Sequence, residues 1–375
     1  MPREIPGFQQ VVLGVTEQDV GLPSLGESGV RALLRDVPFE CAFSWTARID
    51  AEIRNGQLNA RAAAAQCKSV AVAFHGHPKQ QELVELVATE GRELFNTPYL
   101  HTLQRLLVLD ATDGFEEAPG DLRRLQDALL GVCNVVSPAS ARPLEFDRDH
   151  YVTLMVRSGV VNATESMVDA ITRAYAIYHE MPRRPDAPEM PNYCSPERWA
   201  PDTERGVSVH ERFMIGMAIM GNVGVWDEEL PPPERPTGVP PDYFVQLAKE
   251  LDGGDSQRLS RAISGDRAFF RRMFRREKPE LATNALNSIP FQVRPLLAQT
   301  NGGYLLSSTN ALASWMTRGV HYACLTPHED TPTAYAFLTY VNRLFEAYAV
   351  ELLQSAHEGQ AEVRVIGRAS CRERV

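Results

Sequence analysis

The chain has 375 residues, 44% of them hydrophobic and 23% charged, with a formal net charge of −10. That apolar content excludes a chain too polar to offset its conformational entropy, and the length suits two or three domains with ample core. The acidic balance excludes a surface given over wholly to nucleic acid, although a local basic patch is compatible with it.

The opening MPREIPGFQQ lacks the basic stretch and apolar run of a secretion signal, and no run of about 18 apolar residues occurs, so a cytoplasmic protein without a membrane partner is expected. From Gly26 to about Val136 the apolar residues recur at helical spacing. Ser28 is placed to cap a helix reaching about Asp36, before Val37-Pro38, and Phe39 to Ile53 forms a second that Asn55-Gly56 should end. Leu58 to Phe74 reads as a third, Pro78 opens a fourth, and YLHTLQRLLVLDA forms a fifth through Leu100, Leu103, Leu106, Leu107 and Leu109. Further helices are predicted at Leu122 to Val135, Tyr151 to Arg157 and Ser166 to Glu180.

Two proline-rich stretches, Met181 to Pro191 and Leu230 to Pro241, cannot continue a helix or join a central strand and read as linkers around a Met-rich core helix, Val209 to Met220. Tyr243 to Leu251 and Ser256 to Glu277 are again helical. RPLLAQ and GYLLSS, joined by Thr-Asn-Gly, form a hairpin signal with Asn301-Gly302 at the turn. A helix-like stretch through Leu312, Trp315 and Met316 follows, then VHYACL, which either extends it or forms a strand. Thr331-Pro332 opens a long helix, Thr333 to Ala356, and Glu362 to Val365 begins a strand.

The expected fold class is mainly α: a multi-helical array with a small α/β portion (hairpin, long helix and truncated strand) at the C-terminal end. The expected segments are a helical domain over 1–182, linkers around one helix over 183–240, a helical segment with a basic stretch over 241–290 and the start of an α/β domain over 291–365. Residues 366–375, IGRASCRERV, match one reading frame of a short-read sequencing adapter and are expected to be non-native, leaving a fragment interrupted before its natural end. Setting that tail aside, with its three Arg and one Glu, moves the net charge from −10 to −12. It also leaves Cys41, Cys67, Cys133, Cys194 and Cys324, in which neither a disulfide framework nor a CxxC metal pair is visible.

The long helix aligns Phe337, Val341, Leu344, Phe345, Tyr348 and Leu352 on one arc, with Glu346 about 150° from its centre, which by itself predicts a solvated glutamate. The run YVNRLFEAYAVELLQSAHEGQAEVRV resembles the opening of the PD-(D/E)XK restriction-endonuclease-like nucleases, in which a helix bearing Gly-x-x-Phe-Glu precedes a strand. Phe345 and Glu346 match, and Asn342 stands where the family often has Gly. The resemblance covers about 25 residues. It implies that Glu346 lines a catalytic site, that Mg²⁺ serves the full-length protein with further carboxylates beyond Val365, that DNA is the substrate in a restriction or defence role, and that this fragment is inactive and holds no cofactor. The alternative is a non-enzymatic helical scaffold with protein partners.

DRAFFRRMFRREKPE places Arg267, Arg271, Arg272, Arg275, Arg276 and Lys278 beside Phe269, Phe270 and Phe274, a pattern able to track a phosphate backbone. The competing reading is a solvated face paired with Asp266, Glu277 and Glu280. Histidines invite a metal reading at His75 and His77, at His179 beside Glu180, and at His321 near Cys324 and His328, but none completes a tetrahedral set at a recognised spacing. A Cys324–His321 nucleophilic pair lacks an orienting group, and Gly221 to Gly224 and Gly302-Gly303 lack the strand-to-helix setting of a phosphate loop.

Overall fold

The computed structural model describes residues 15–58, 62–90, 94–95, 97–114, 118–136, 167–187, 207–223, 236–251, 255–276, 289–320 and 332–356. The expected helix at Tyr151 to Arg157, the strand at Glu362 to Val365, the His321–Cys324–His328 group, Lys278, the side chain of Arg276, residues 366–375 and most of both proline-rich stretches lie outside the described residues.

In chain order the helices are α1 (Gly26–Leu34), α2 (Phe39–Leu58), α3 (Ala62–Ala73), α4 (Gln80–Glu90), α5 (Thr97–Asp110), α6 (Asp121–Val136), α7 (Met167–Tyr175), α8 (Val209–Asn222), α9 (Tyr243–Glu250), α10 (Ser256–Ile263), α11 (Arg267–Arg276), α12 (Ile289–Val293), α13 (Thr309–Met316) and α14 (Pro332–Ala356). The strands are β1 (Gly238–Val239), β2 (Ser264–Gly265), β3 (Leu296–Ala298) and β4 (Tyr304–Leu306). The protein is mainly α, with one small mixed sheet, and the described residues fall into two compact units. The larger is drawn from Met1–Met167 and Ile215–Trp315, the smaller from Val168–Met214 and Met316–Val375.

In the larger unit α5 is the axial element. Tyr99 through Val108 are all buried, beneath α1, α2, α6 and α11, because a helix apolar on most of its circumference must be covered all round. Its end is pinned by a bridge in which Phe39 N–H donates to Thr112 O (2.9 Å) and Thr112 N–H donates to Val37 O (3.1 Å). Helices α1 and α6 approach so closely that a Cβ on Gly131 would sit 2.4 Å from Val30 Cγ2. Helix α2 runs past the expected stop at Asn55-Gly56 to Leu58, since a glycine inside a helix costs only about 1 kcal/mol and tertiary packing overrides it.

The hairpin forms as expected, pairing Leu296 with Leu306, Leu297 with Leu305 and Ala298 with Tyr304. Gly302, at φ +88°, closes the turn by donating to Gln299 O at 3.0 Å. The sheet order is β1-β4-β3-β2, with β2 parallel to β3 and the other pairs antiparallel. Strand β1 falls inside the segment expected to be linker, and a proline-flanked edge strand is permitted there because only one side is paired. The single helix expected from Ser256 to Glu277 is divided by β2. Ser264 Oγ donates back to Ser260 O (2.7 Å) to end α10, and Asp266 Oδ1 accepts from Phe269 N–H (2.6 Å) at the start of α11. Ser-Gly-Asp was the punctuation that marked this break.

The linear segmentation differs from the observed one. The hairpin, expected to open a domain with the long helix, buries Leu297 and Leu305 in the core that contains α1 to α6. The long helix belongs to the smaller unit, where Tyr340 and Leu344 pack with Ile177 and Met181. There α7 passes into a π-helical turn, Ala176–Glu180, and a 3₁₀ turn, Met181–Arg183. The expected apolar arc on α14 is covered only in part. Phe337, Val341 and Leu344 are buried, whereas Phe345 and Leu352 are 51% and 52% exposed. At 100° per residue Phe345 lies well around the helix from Leu344, beyond the reach of the turn that covers it.

Candidate functional site

Burial of α5 forces its polar side chains to find partners in the interior. His101 Nε2 lies 2.7 Å from Ser308 Oγ, and Gln104 Nε2 donates to Ser307 O (2.7 Å) and Thr46 Oγ1 (3.1 Å). Asp50 Oδ2 accepts from the Thr309 N–H (3.0 Å) and hydroxyl (3.1 Å), and Ser308 Oγ accepts from Ala311 N–H (3.0 Å). The N-terminus of α13 is therefore capped by its own Ser308 and, through space, by Asp50. This cluster joins α2, α5 and α13, and no sequence motif announced it because Ser307, Ser308 and Thr309 lie more than 200 residues from their partners Gln104, His101 and Asp50.

A serine hydroxyl at hydrogen-bond distance from an imidazole has the geometry of an activated nucleophile, but among the described residues no third group orients the imidazole. His101 Nδ1 has no hydrogen-bond partner among the described residues, and Asp50 is engaged by Thr309. The imidazole packs on Phe291 at 5.3 Å between ring centroids, and both His101 and Ser308 are buried. Burial pushes the His101 pKa down to about 3. The pair acts as an internal lock.

A pH dependence follows. The folded protein keeps His101 neutral where the unfolded chain would protonate it, so its stability contribution is complete above about pH 6.5 and declines as pH falls towards about 3. Relative to a His101→Gln variant, the parent should lose about 2 kcal/mol more between about pH 7.5 and pH 5, measured by urea denaturation. Equal losses in both proteins would refute this.

The basic helix divides into two sets. Arg267 donates through Nε to Val108 O (3.1 Å) and through Nη2 to Leu107 O (3.1 Å) and to Ala111 O, pairs with Asp113, and lies over the Phe39 ring at 4.1 Å. Arg271 Nε donates to Val108 O at 2.8 Å. Both side chains thus hydrogen-bond carbonyls at the C-terminus of α5, where the helix dipole favours a cation. Arg272 and Arg275 are exposed. Phe270 and Phe274 are buried in the core and unable to stack on bases.

Of the histidines weighed as ligands, His77 is a buried cap. Its Nδ1 accepts from Lys79 N–H (2.9 Å), which leaves Nε2–H to donate to Asp127 Oδ1 (3.2 Å). Burial raises the Asp127 pKa, but the bonds from His77 and Arg123 outweigh it and hold the carboxyl below its usual range. His75 is exposed and lines a shallow surface depression with Pro78, Leu122 and Arg123.

In the smaller unit Glu346 is exposed on α14, on the side that the helical wheel predicts. Glu351 pairs with Arg184 at 2.5 and 3.2 Å, and both are substantially exposed, so the pair contributes little to stability. His179 has a neighbour that sequence reading missed: His210, in the first turn of α8, stacks on it at 5.0 Å with planes 25° apart. The two lie 31 positions apart at no recognised ligand spacing. Among the described residues no group of three or more His, Cys, Asp or Glu side chains converges as a metal site. No described helix is long and apolar enough to cross a membrane.

Comparison with protein-family models, with curated proteins and with solved structures finds no match for this chain.

Proposed function

We propose that this chain is a helical scaffold, a protein-interaction module and not a catalyst. The carrying observation is how the reactive side chains of the larger unit are engaged: Ser308, Asp50, Arg267 and Arg271 hold helix ends, and His101 is bonded to the Ser308 hydroxyl that caps α13. On the smaller unit Phe345, Leu352 and Leu353 are about half exposed at i, i+7 and i+8, the spacing by which one amphipathic helix receives another. A partner presenting an apolar helical stripe fits that face.

The nuclease reading stands as a second proposal on a different observation, the exposure of Glu346 opposite the packed face of α14. Among the described residues Glu346 is one carboxylate without two more beside it, so these residues do not compose a Mg²⁺ site by themselves and no catalytic step is derived through one. The nuclease reading needs further ligands beyond Val365, so cleavage by this chain alone does not separate the readings, and the gene recovered uninterrupted from its source does. An Asp and then a Glu or Gln with Lys on adjoining strands within about 60 residues of Val365 supports the nuclease, and a reading frame that lacks them overturns it in favour of the scaffold.

A further inference from the structure

We propose that His179 and His210 form a binding site for a divalent transition-metal ion of the Zn²⁺, Ni²⁺ or Cu²⁺ class, which ties the π-helical turn to the start of α8. Three elements of geometry meet here, all within the smaller unit. The imidazoles are stacked at 5.0 Å with planes 25° apart. Tyr175 Oη lies 3.2 Å from His210 Nδ1, and the Tyr175 ring is 4.6 Å from that of His179. Tyr175 also meets Phe213 edge-on at 5.0 Å, which anchors the phenol between the two helices.

The π-helical segment Ala176–Glu180 is the second observation. One extra residue in the turn rotates His179 away from its α-helical direction, and such turns recur at functional sites. Two imidazoles sharing one ion need nitrogens about 3.3 Å apart, given metal–nitrogen bonds of about 2.0–2.1 Å. The rings are close enough to share an ion, but imidazole lone pairs lie in the ring plane, so both side chains must turn out of the stack to direct a nitrogen at it. Imidazole donors select Zn²⁺, Ni²⁺ and Cu²⁺ over Mg²⁺, so this site is chemically distinct from anything built on Glu346. The remaining positions fall to Tyr175 Oη and solvent, because His210 is exposed.

Arg183 supplies the discriminating feature. Its side chain lies against the His179 ring, so a metal ion must displace an exposed guanidinium. An oxyanion drawn to the same side chains would instead use Arg183 as a donor. Removing Arg183 therefore weakens oxyanion binding and does not weaken metal binding.

The test is calorimetric titration of Zn²⁺ alone into the full chain, with circular dichroism as a check on folding. The parent should take up one equivalent at micromolar concentration, His179→Ala and His210→Ala should each weaken it at least about tenfold, His75→Ala should leave it unchanged, and Arg183→Ala should leave it equal or tighter. Glutamine at 179 and 210 replaces alanine wherever an alanine variant fails to fold. Zn²⁺ uptake that stays within twofold of the parent in either histidine variant, or that weakens in Arg183→Ala, overturns the site.

Discussion

Phe291→Ala should cost about 3–5 kcal/mol of stability and lower the Tm by on the order of 10 °C. Phe291 is 1% exposed and stands at the hub of an aromatic cluster. Its ring lies 5.2 Å from both Phe270 and Phe274, 5.3 Å from His101 and 6.2 Å from Phe43. Those partners come from α2, α5 and α11, so the void opens where three helices meet and no single neighbour can close it. Phe291→Leu should cost clearly less, since most of the volume stays filled. Urea denaturation of both variants checks this, and a loss under about 1 kcal/mol for the alanine variant would show that the hub is not close-packed.

The second large effect separates the arginines of α11. Arg267→Met should destabilise by about 2–4 kcal/mol, because it strips hydrogen bonds from carbonyls at the end of a buried helix and removes a cation from the Phe39 face. Arg272→Ala with Arg275→Ala should stay within about 0.5 kcal/mol of the parent. If α11 nonetheless meets a phosphate backbone, the exposed pair must carry that contact, and the double variant should reduce the salt slope of DNA binding by about 1.8. A steep slope unchanged by that substitution removes the nucleic-acid reading of Arg272 and Arg275. Equal stability of R267M and the parent would remove the capping role of Arg267.

The two sets of arginines show where reading the chain as a string stops being informative. Arg267 and Arg272 are indistinguishable as members of RAFFRRMFRR, since a sequence records charge density but not what faces the charge. Only folding brings Leu107, Val108 and Ala111 opposite Arg267, about 160 positions away. The same holds for His101 and Ser308, and for His179 and His210. None of these pairs has a spacing that short-range chemistry could dictate.

Local physics determined a good deal. Apolar periodicity placed α5, α6, α8, α9 and α14 near their observed limits, because a helix is built from bonds four residues apart and leaves a repeating trace. Asn301-Gly302 marked the hairpin because few other residues accept the backbone that its turn needs. Glu346 was placed on the solvated side by the same wheel. What required the tertiary structure was every decision about coverage. The hairpin joined the helices of the larger unit, Phe345 and Leu352 were left exposed, and β1 formed within a proline-rich stretch. Burial depends on which distant surfaces meet, and the long-range hydrophobic and capping contacts that decide it leave no periodic trace in the chain.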